Sequence, residues 1–165
     1  SGSLPHGMLA GGMVDGTVKV FNPAGKLISD IEFPEKPSNI CFGGKDGKTL
    51  YVNESRQRNI WAFSIKKDGS VAKKRLLKKF EDHGFDGMRC DAKGNLYVTR
   101  YGKGTVAILS PEGKILKEVD VLGARPSNLC FGGPDGRTVY VTEVEHTRLV
   151  QFRVEHPGLS WTLNQ

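Results

Sequence analysis

PSNICFGGKDGKTLYVNE (residues 37–54) and PSNLCFGGPDGRTVYVTE (residues 126–143) are two copies of one stretch, 89 positions apart. Each copy holds two short runs rich in Ile, Leu, Val, Tyr and Thr around a Gly-rich turn, the pattern of a β-hairpin. Upstream, GTVKVFNPAGKLI (16–28) and GTVAILSPEGKIL (104–116) match at an offset of 88. A period near 89 is twice the roughly 40–50 residues of a four-stranded repeat unit. The repeat therefore specifies an all-β chain of antiparallel four-stranded sheets, the blades of a β-propeller.

Working outward, the apolar runs predict strands at 86–91, 96–101, 104–110 and 115–121. A further set follows at 127–132, 138–143 and 148–154, with LSWTLNQ (159–165) as a candidate fourth strand. The earlier half predicts strands near 16–22, 27–33, 38–43, 49–54, 59–65 and 71–80. The last of these, VAKKRLLKKF, alternates poorly and is also compatible with a helix. This makes 14 or 15 strands, about 3.5–4 blades.

Turn chemistry sorts the two ends of the sheets. NPAGK, GGKDGK, KKDGS, DAKGN, SPEGK and GGPDGR each join a first strand to a second, or a third to a fourth. Gly tolerates the positive φ that such turns need. The opposite end receives the approach to each first strand and the second-to-third loops. It carries Asn39, Asp86, Asn128, NESRQR (53–58), RYGK (100–103) and EVEHT (143–147). Loops free of turn duty are where function concentrates.

A length of 165 residues is that of one domain, here a partial propeller over 1–165. Residues 1–6 read as a cloning remnant or a disordered start. The net charge of +6 invites anionic partners, but seven of the Lys and Arg residues fall between Lys66 and Lys79 with no interleaved aromatic ring. That pattern fits a solvated outer strand, not a nucleic-acid surface. No run of 18 apolar residues crosses a membrane. Of the three cysteines, Cys41 and Cys130 hold matching repeat positions and read as small buried hydrophobes. No disulfide is expected, which favours a reducing, cytoplasmic setting.

FDGMRCDAKGNLYVTR (85–100), with the two PSN repeats, resembles the gluconolactonase and senescence-marker-protein family of six-bladed propellers, from about Asp15 onward. The resemblance implies a divalent-metal lactonase, with Ca2+ or Zn2+ on the propeller axis and metal-activated water opening a cyclic ester. It assigns metal ligation to Asn39 and Asp86. It also implies an early Glu ligand and a substrate-pocket Asn that this chain lacks. The alternative is a non-catalytic propeller fragment acting as an interaction scaffold. An incomplete ring implies self-association or an N-terminal companion fragment, alongside a small-molecule lactone.

The residues themselves leave two readings for each candidate. Asp86 can bind a hard cation and act as general base, or cap the turn before Gly87. Asn39 can offer its carbonyl oxygen, or form an Asx turn. Asn128, its repeat mate, is pocket-lining or structural. Arg100, Tyr101, Glu54 and Glu143 are candidates to hold substrate, against a role as ordinary surface charge. Arg100 could also stabilise an oxyanion. His83 stands three residues before Asp86 and could shuttle protons. His6, His146 and His156 lack metal-ligand spacing. No nucleophile elbow, P-loop, HExxH or EF-hand motif occurs.

Overall fold

A computed structural model describes residues 9–11 and 16–163. Residues 1–6, with His6, and the last two residues of LSWTLNQ lie outside the described residues. Fourteen strands among those described form four antiparallel sheets. The first sheet holds β1 (Leu9–Gly11), β2 (Thr17–Phe21) and β3 (Leu27–Glu32). The second holds β4 (Asn39–Gly43), β5 (Thr49–Glu54), β6 (Asn59–Ile65) and β7 (Val71–Lys79). The third holds β8 (Met88–Cys90), β9 (Leu96–Arg100), β10 (Thr105–Leu109) and β11 (Ile115–Asp120). The fourth holds β12 (Pro126–Gly132), β13 (Thr138–Glu143) and β14 (Arg148–Arg153).

The repeat is obeyed down to irregularities. The NPAGK and SPEGK turns are built alike: the side-chain oxygens of Asn22 and Ser110 accept amides two and four residues ahead. Gly25 and Gly113 take φ of +77° and +88° in those turns, values that L side chains avoid. A β-bulge falls at Val20/Phe21 and again at Ile108/Leu109.

Three apolar clusters lie between consecutive sheets. Val18, Val20 and Phe33 of the first sheet and its outgoing loop meet Leu50, Val52 and Phe63 of the second. Cys41, Tyr51, Ile60 and Ala62 meet Met88, Leu96, Ala107 and Leu109 of the third. Tyr97, Val106 and Ile108 meet Leu129, Val139 and Val141 of the fourth. Alternation along each strand makes this possible, because even and odd positions supply opposite faces.

Two expectations are corrected, and the strand predicted at 71–80 is found. LSWTL forms a helix, α1 (Leu159–Leu163), not a fourth strand. Leu159 plugs the cluster between the second and third sheets, and Trp161 lies against Gly136. Val71–Lys79 is a strand throughout, since its amides and carbonyls pair with β6 despite the poor alternation. Cys130 is exposed although its mate Cys41 is buried. The outer face of the fourth sheet matches the face that the second sheet packs against the third. With no sheet over it among the described residues, Leu149 is 63% exposed where its mate Ile60 is 0% exposed.

Gly87 marks a tight seam between the third and fourth sheets. It stands opposite Thr99, whose amide donates to the Gly87 carbonyl at 3.0 Å, and its own amide donates to Ser127 O of the fourth sheet at 2.9 Å. The pairs Asn39–Asn53 and Asn128–Thr142 hold the same place in their sheets. Gly87 thus occupies the position taken by Asn39 and Asn128. A Cβ there would lie 2.7 Å from the Asn128 Cα and 2.5 Å from its Oδ1, so the backbone has to move. Gly87→Ala is expected to cost about 1–3 kcal/mol, as for overpacking, measured by chemical denaturation. Unchanged stability would show that the seam yields freely.

Candidate functional site

The approaches to the first strands and the second-to-third loops gather at one end of the sheets. Phe80 N donates to Arg58 O, Gly102 N to Ala124 O, and the Arg148 guanidinium to Leu122 O. At this end Asn39 begins β4, and Asp86 stands two residues before β8. The two are linked through Asn53 on β5, which the sequence reading did not single out. Asn53 pairs across the ladder with Asn39, and its Nδ2 donates to the backbone carbonyl of Asp86 at 2.9 Å.

Asp86 is half-buried, and burial pushes its carboxyl above the usual aspartate value. Desolvation disfavours the charged form in this way when no cation offsets it. Asn39 Oδ1 accepts its neighbour's amide, Ile40 N, at 2.7 Å; Asn128 does the same with Leu129 N at 2.9 Å. A carbonyl oxygen keeps a second lone pair in such a bond. Asn53 is fully buried, and its Oδ1 has no partner. The donors of Asn39, Asn53 and Asp86 are all oxygens, which suits a hard divalent cation.

Glu54, Arg100 and Glu143 share one repeat position at the end of the second strand of three successive sheets. They are buried strand ends, at 0%, 0% and 1% exposure, not the loop residues expected. Two of them fasten the incoming connection to their sheet. The Arg100 guanidinium donates to Asp82 O at 2.6 Å and Asp82 Oδ1 at 2.7 Å, pairs with Glu118, and stacks on Phe80 at 3.8 Å. This holds the Asp82 carboxyl well below the usual range.

Glu143 performs the mirror task by accepting backbone amides. Arg125 N reaches it at 3.3 Å, Glu145 N at 2.8 Å and His146 N at 3.0 Å, while the His146 ring lies at 2.9 Å. Glu54 Oε2 accepts from Trp61 Nε1 at 2.6 Å, and its Oε1 has no partner. Tyr101 and His83 are exposed, and His83 Nδ1 lies 3.2 Å from Asp82. Glu143, Glu145 and His146 present ligand atoms within 4.8 Å of one another. That grouping has no standard spacing in sequence, and the hydrogen bonds to Glu143 already explain it. No helix among the described residues is long and apolar enough to cross a membrane.

A family model described as the SMP-30/gluconolactonase/LRE-like region matches residues 6–52 and 44–145. Regucalcin of Xenopus laevis is 38% identical over 109 residues, covering 64% of this chain and 36% of the relative. A 6-deoxy-6-sulfogluconolactonase of Pseudomonas putida is 26% identical over 123 residues, covering 73% and 42%. A solved regucalcin of Agrobacterium tumefaciens, described as a calcium-binding protein, superposes with a TM-score of 0.75 at 23% identity, covering 86% and 53%. Solved neighbours are β-propeller proteins, which establishes the sheets as propeller blades. The chain spans well under two thirds of the length of these relatives.

The Glu143 clamp has a defined pH dependence. Burial works to raise its carboxyl pKa, but the amides of Glu145 and His146, the His146 ring and the Arg125 amide outweigh it and bring the value to about 2. The folded value is depressed, so the stabilisation is present above the unfolded value of about 4.5. It is lost as pH falls from there through about 2. Glu143→Gln should lower the melting temperature at pH 7, with the gap to wild type closing across that window. A gap that stays constant down to pH 2 would overturn the clamp.

Proposed function

The chain belongs to the SMP-30/gluconolactonase/LRE-like family, and from that membership we propose that it serves the hydrolysis of a sugar lactone. The observation that supports the reading is the half-buried, desolvated Asp86, whose backbone is bonded to Asn53, the cross-strand partner of Asn39, at the loop-bearing end of the blades. The likeness to a sulfogluconolactonase supports the substrate class. The calcium-binding description of the Agrobacterium regucalcin supports a divalent cation.

Asn39 and Asp86 would hold that cation through side-chain oxygens. When bound, a divalent cation polarises an acyl carbonyl and acidifies a water. Asp86 accepts the proton of the attacking water at its carboxylate. A carboxyl with a raised pKa accepts a proton more readily than an ordinary one. Water adds to the acyl carbon, the bond from that carbon to the ring oxygen breaks, and the proton returns to the departing alkoxide. The product is the open hydroxy acid.

Arg100 and Glu143 are already occupied by the loops they fasten, and they act here by fixing the surface on which the site stands. Asn128, pressed against Gly87, lies next in line along the first strands and would face the substrate.

The test is lactone hydrolysis by wild type and Asp86→Asn in the presence of Ca2+ or Zn2+, with circular dichroism to follow the fold. Asp86→Asn keeps the shape and removes both the charge and the base. Its expected rate is at least 100-fold lower, with the fold retained. Equal rates in the two proteins would remove Asp86 from the chemistry.

A further inference from the structure

Three successive sheets allow one position to be compared with itself. The residue before the clamp is Asn53 on β5, Thr99 on β9 and Thr142 on β13. In the third and fourth sheets the hydroxyl turns back onto its own first strand. Thr99 Oγ1 donates to Gly87 O at 3.3 Å, and Thr142 Oγ1 to Asn128 O at 3.3 Å. Thr99 Oγ1 also reaches Ser127 O of the fourth sheet at 3.5 Å, so a short hydroxyl serves this site and leaves no buried oxygen without a partner.

Asn53 shares the reach across the seam, since its nitrogen donates to the backbone carbonyl of Asp86 at 2.9 Å, and departs from the pattern in its second polar atom. Its oxygen is left fully buried with no hydrogen-bond partner. A buried, unpaired carbonyl is costly, a penalty that Thr avoids in the other two sheets. Directly opposite pairs project from the same face of a sheet, so the Asn53 amide lies on the Asn39 side while bonded to Asp86. Because the Asp86 carbonyl can only accept, the nitrogen of the amide must face it and the oxygen must turn away.

We infer that the Asn53 side-chain oxygen is a further ligand of the cation held by Asn39 and Asp86, while its nitrogen fixes Asp86 in place. This rests on the metal reading above and extends its donor set. A hard cation such as Ca2+ collects six to eight oxygens and takes neutral amide carbonyls among them. The unpaired oxygen then has its partner, and the amide becomes a bridge between the blades that carry Asn39 and Asp86.

The experiment measures Ca2+ affinity by isothermal titration calorimetry on wild type, Asn53→Thr, Asn53→Asp and Asp86→Asn. The melting temperature of each is recorded with chelator and with Ca2+. Asn53→Thr installs the residue that the other two sheets use, so the metal-free protein should melt close to wild type. Its Ca2+ affinity should fall at least tenfold. Asn53→Asp keeps an oxygen at the site but loses the donor to the Asp86 carbonyl, so it should bind Ca2+ at least tenfold more tightly than Asn53→Thr, which keeps neither. Wild-type affinity in Asn53→Thr would overturn the inference, as would binding by Asn53→Asp no tighter than that of Asp86→Asn if the Thr variant does not fold. A wild-type protein that binds no Ca2+ overturns the metal reading and this inference together. Binding abolished by Asp86→Asn but untouched by Asn53→Thr overturns the inference alone.

Discussion

A small twisted sheet has two faces, and in this chain each inner face is buried by the face of the next sheet. Leu96, Ala107 and Leu109 on one side of the third sheet meet the second, while Tyr97, Val106 and Ile108 on the other side meet the fourth. Since burial of apolar area scales with the surface removed from water, each sheet is stabilised by its neighbours more than by itself. Everything else in the molecule is adjusted to let those faces approach. Gly87 is bare because Asn128 stands against it, and Gly43 is bare because the Cys90 sulfur does.

Face-to-face stacking leaves the connections between sheets to be fastened separately, and one repeat position supplies the fastening. Arg100 binds a loop through carbonyls and a carboxylate, whereas Glu143 binds the next through amides. The charge changes sign because the backbone groups turned inward change from acceptors to donors. Burying such ions is costly unless every polar atom finds a partner. The dense hydrogen bonding around both groups meets most of that requirement. Arg100 in turn fixes the approach that leads from Asp82 to Asp86.

The candidate site is where the repeat is broken. Its first-strand position reads Asn39, Gly87, Asn128, and the position across from it reads Asn53, Thr99, Thr142. Structural demand alone would make these alike, as it does for the NPAGK and SPEGK turns. The departures leave a desolvated carboxylate at Asp86 and an unpaired oxygen on the Asn53 amide that is bonded to the Asp86 backbone. Local rules give way at functional sites and are respected elsewhere.

The repeated hairpins at 37–54 and 126–143, the Gly turns and the alternating apolar runs were enough to determine the all-β blades and most strand positions, because these depend on residues near one another in the chain. They also sufficed to bring Asn39 and Asp86 forward through the resemblance they carry. Four outcomes depended on what lay across a seam. LSWTL became a helix because Leu159 packs into the cluster between the second and third sheets, and Cys130 stayed exposed because no sheet among the described residues covers its face. Arg100 and Glu143 turned inward because partners 18 positions earlier in the chain needed them. Asn53 had no local signal at all, since its meaning lies in a bond to a residue 33 positions away. A hydrogen bond between blades is a fact of tertiary distance, and only the packed sheets could establish it.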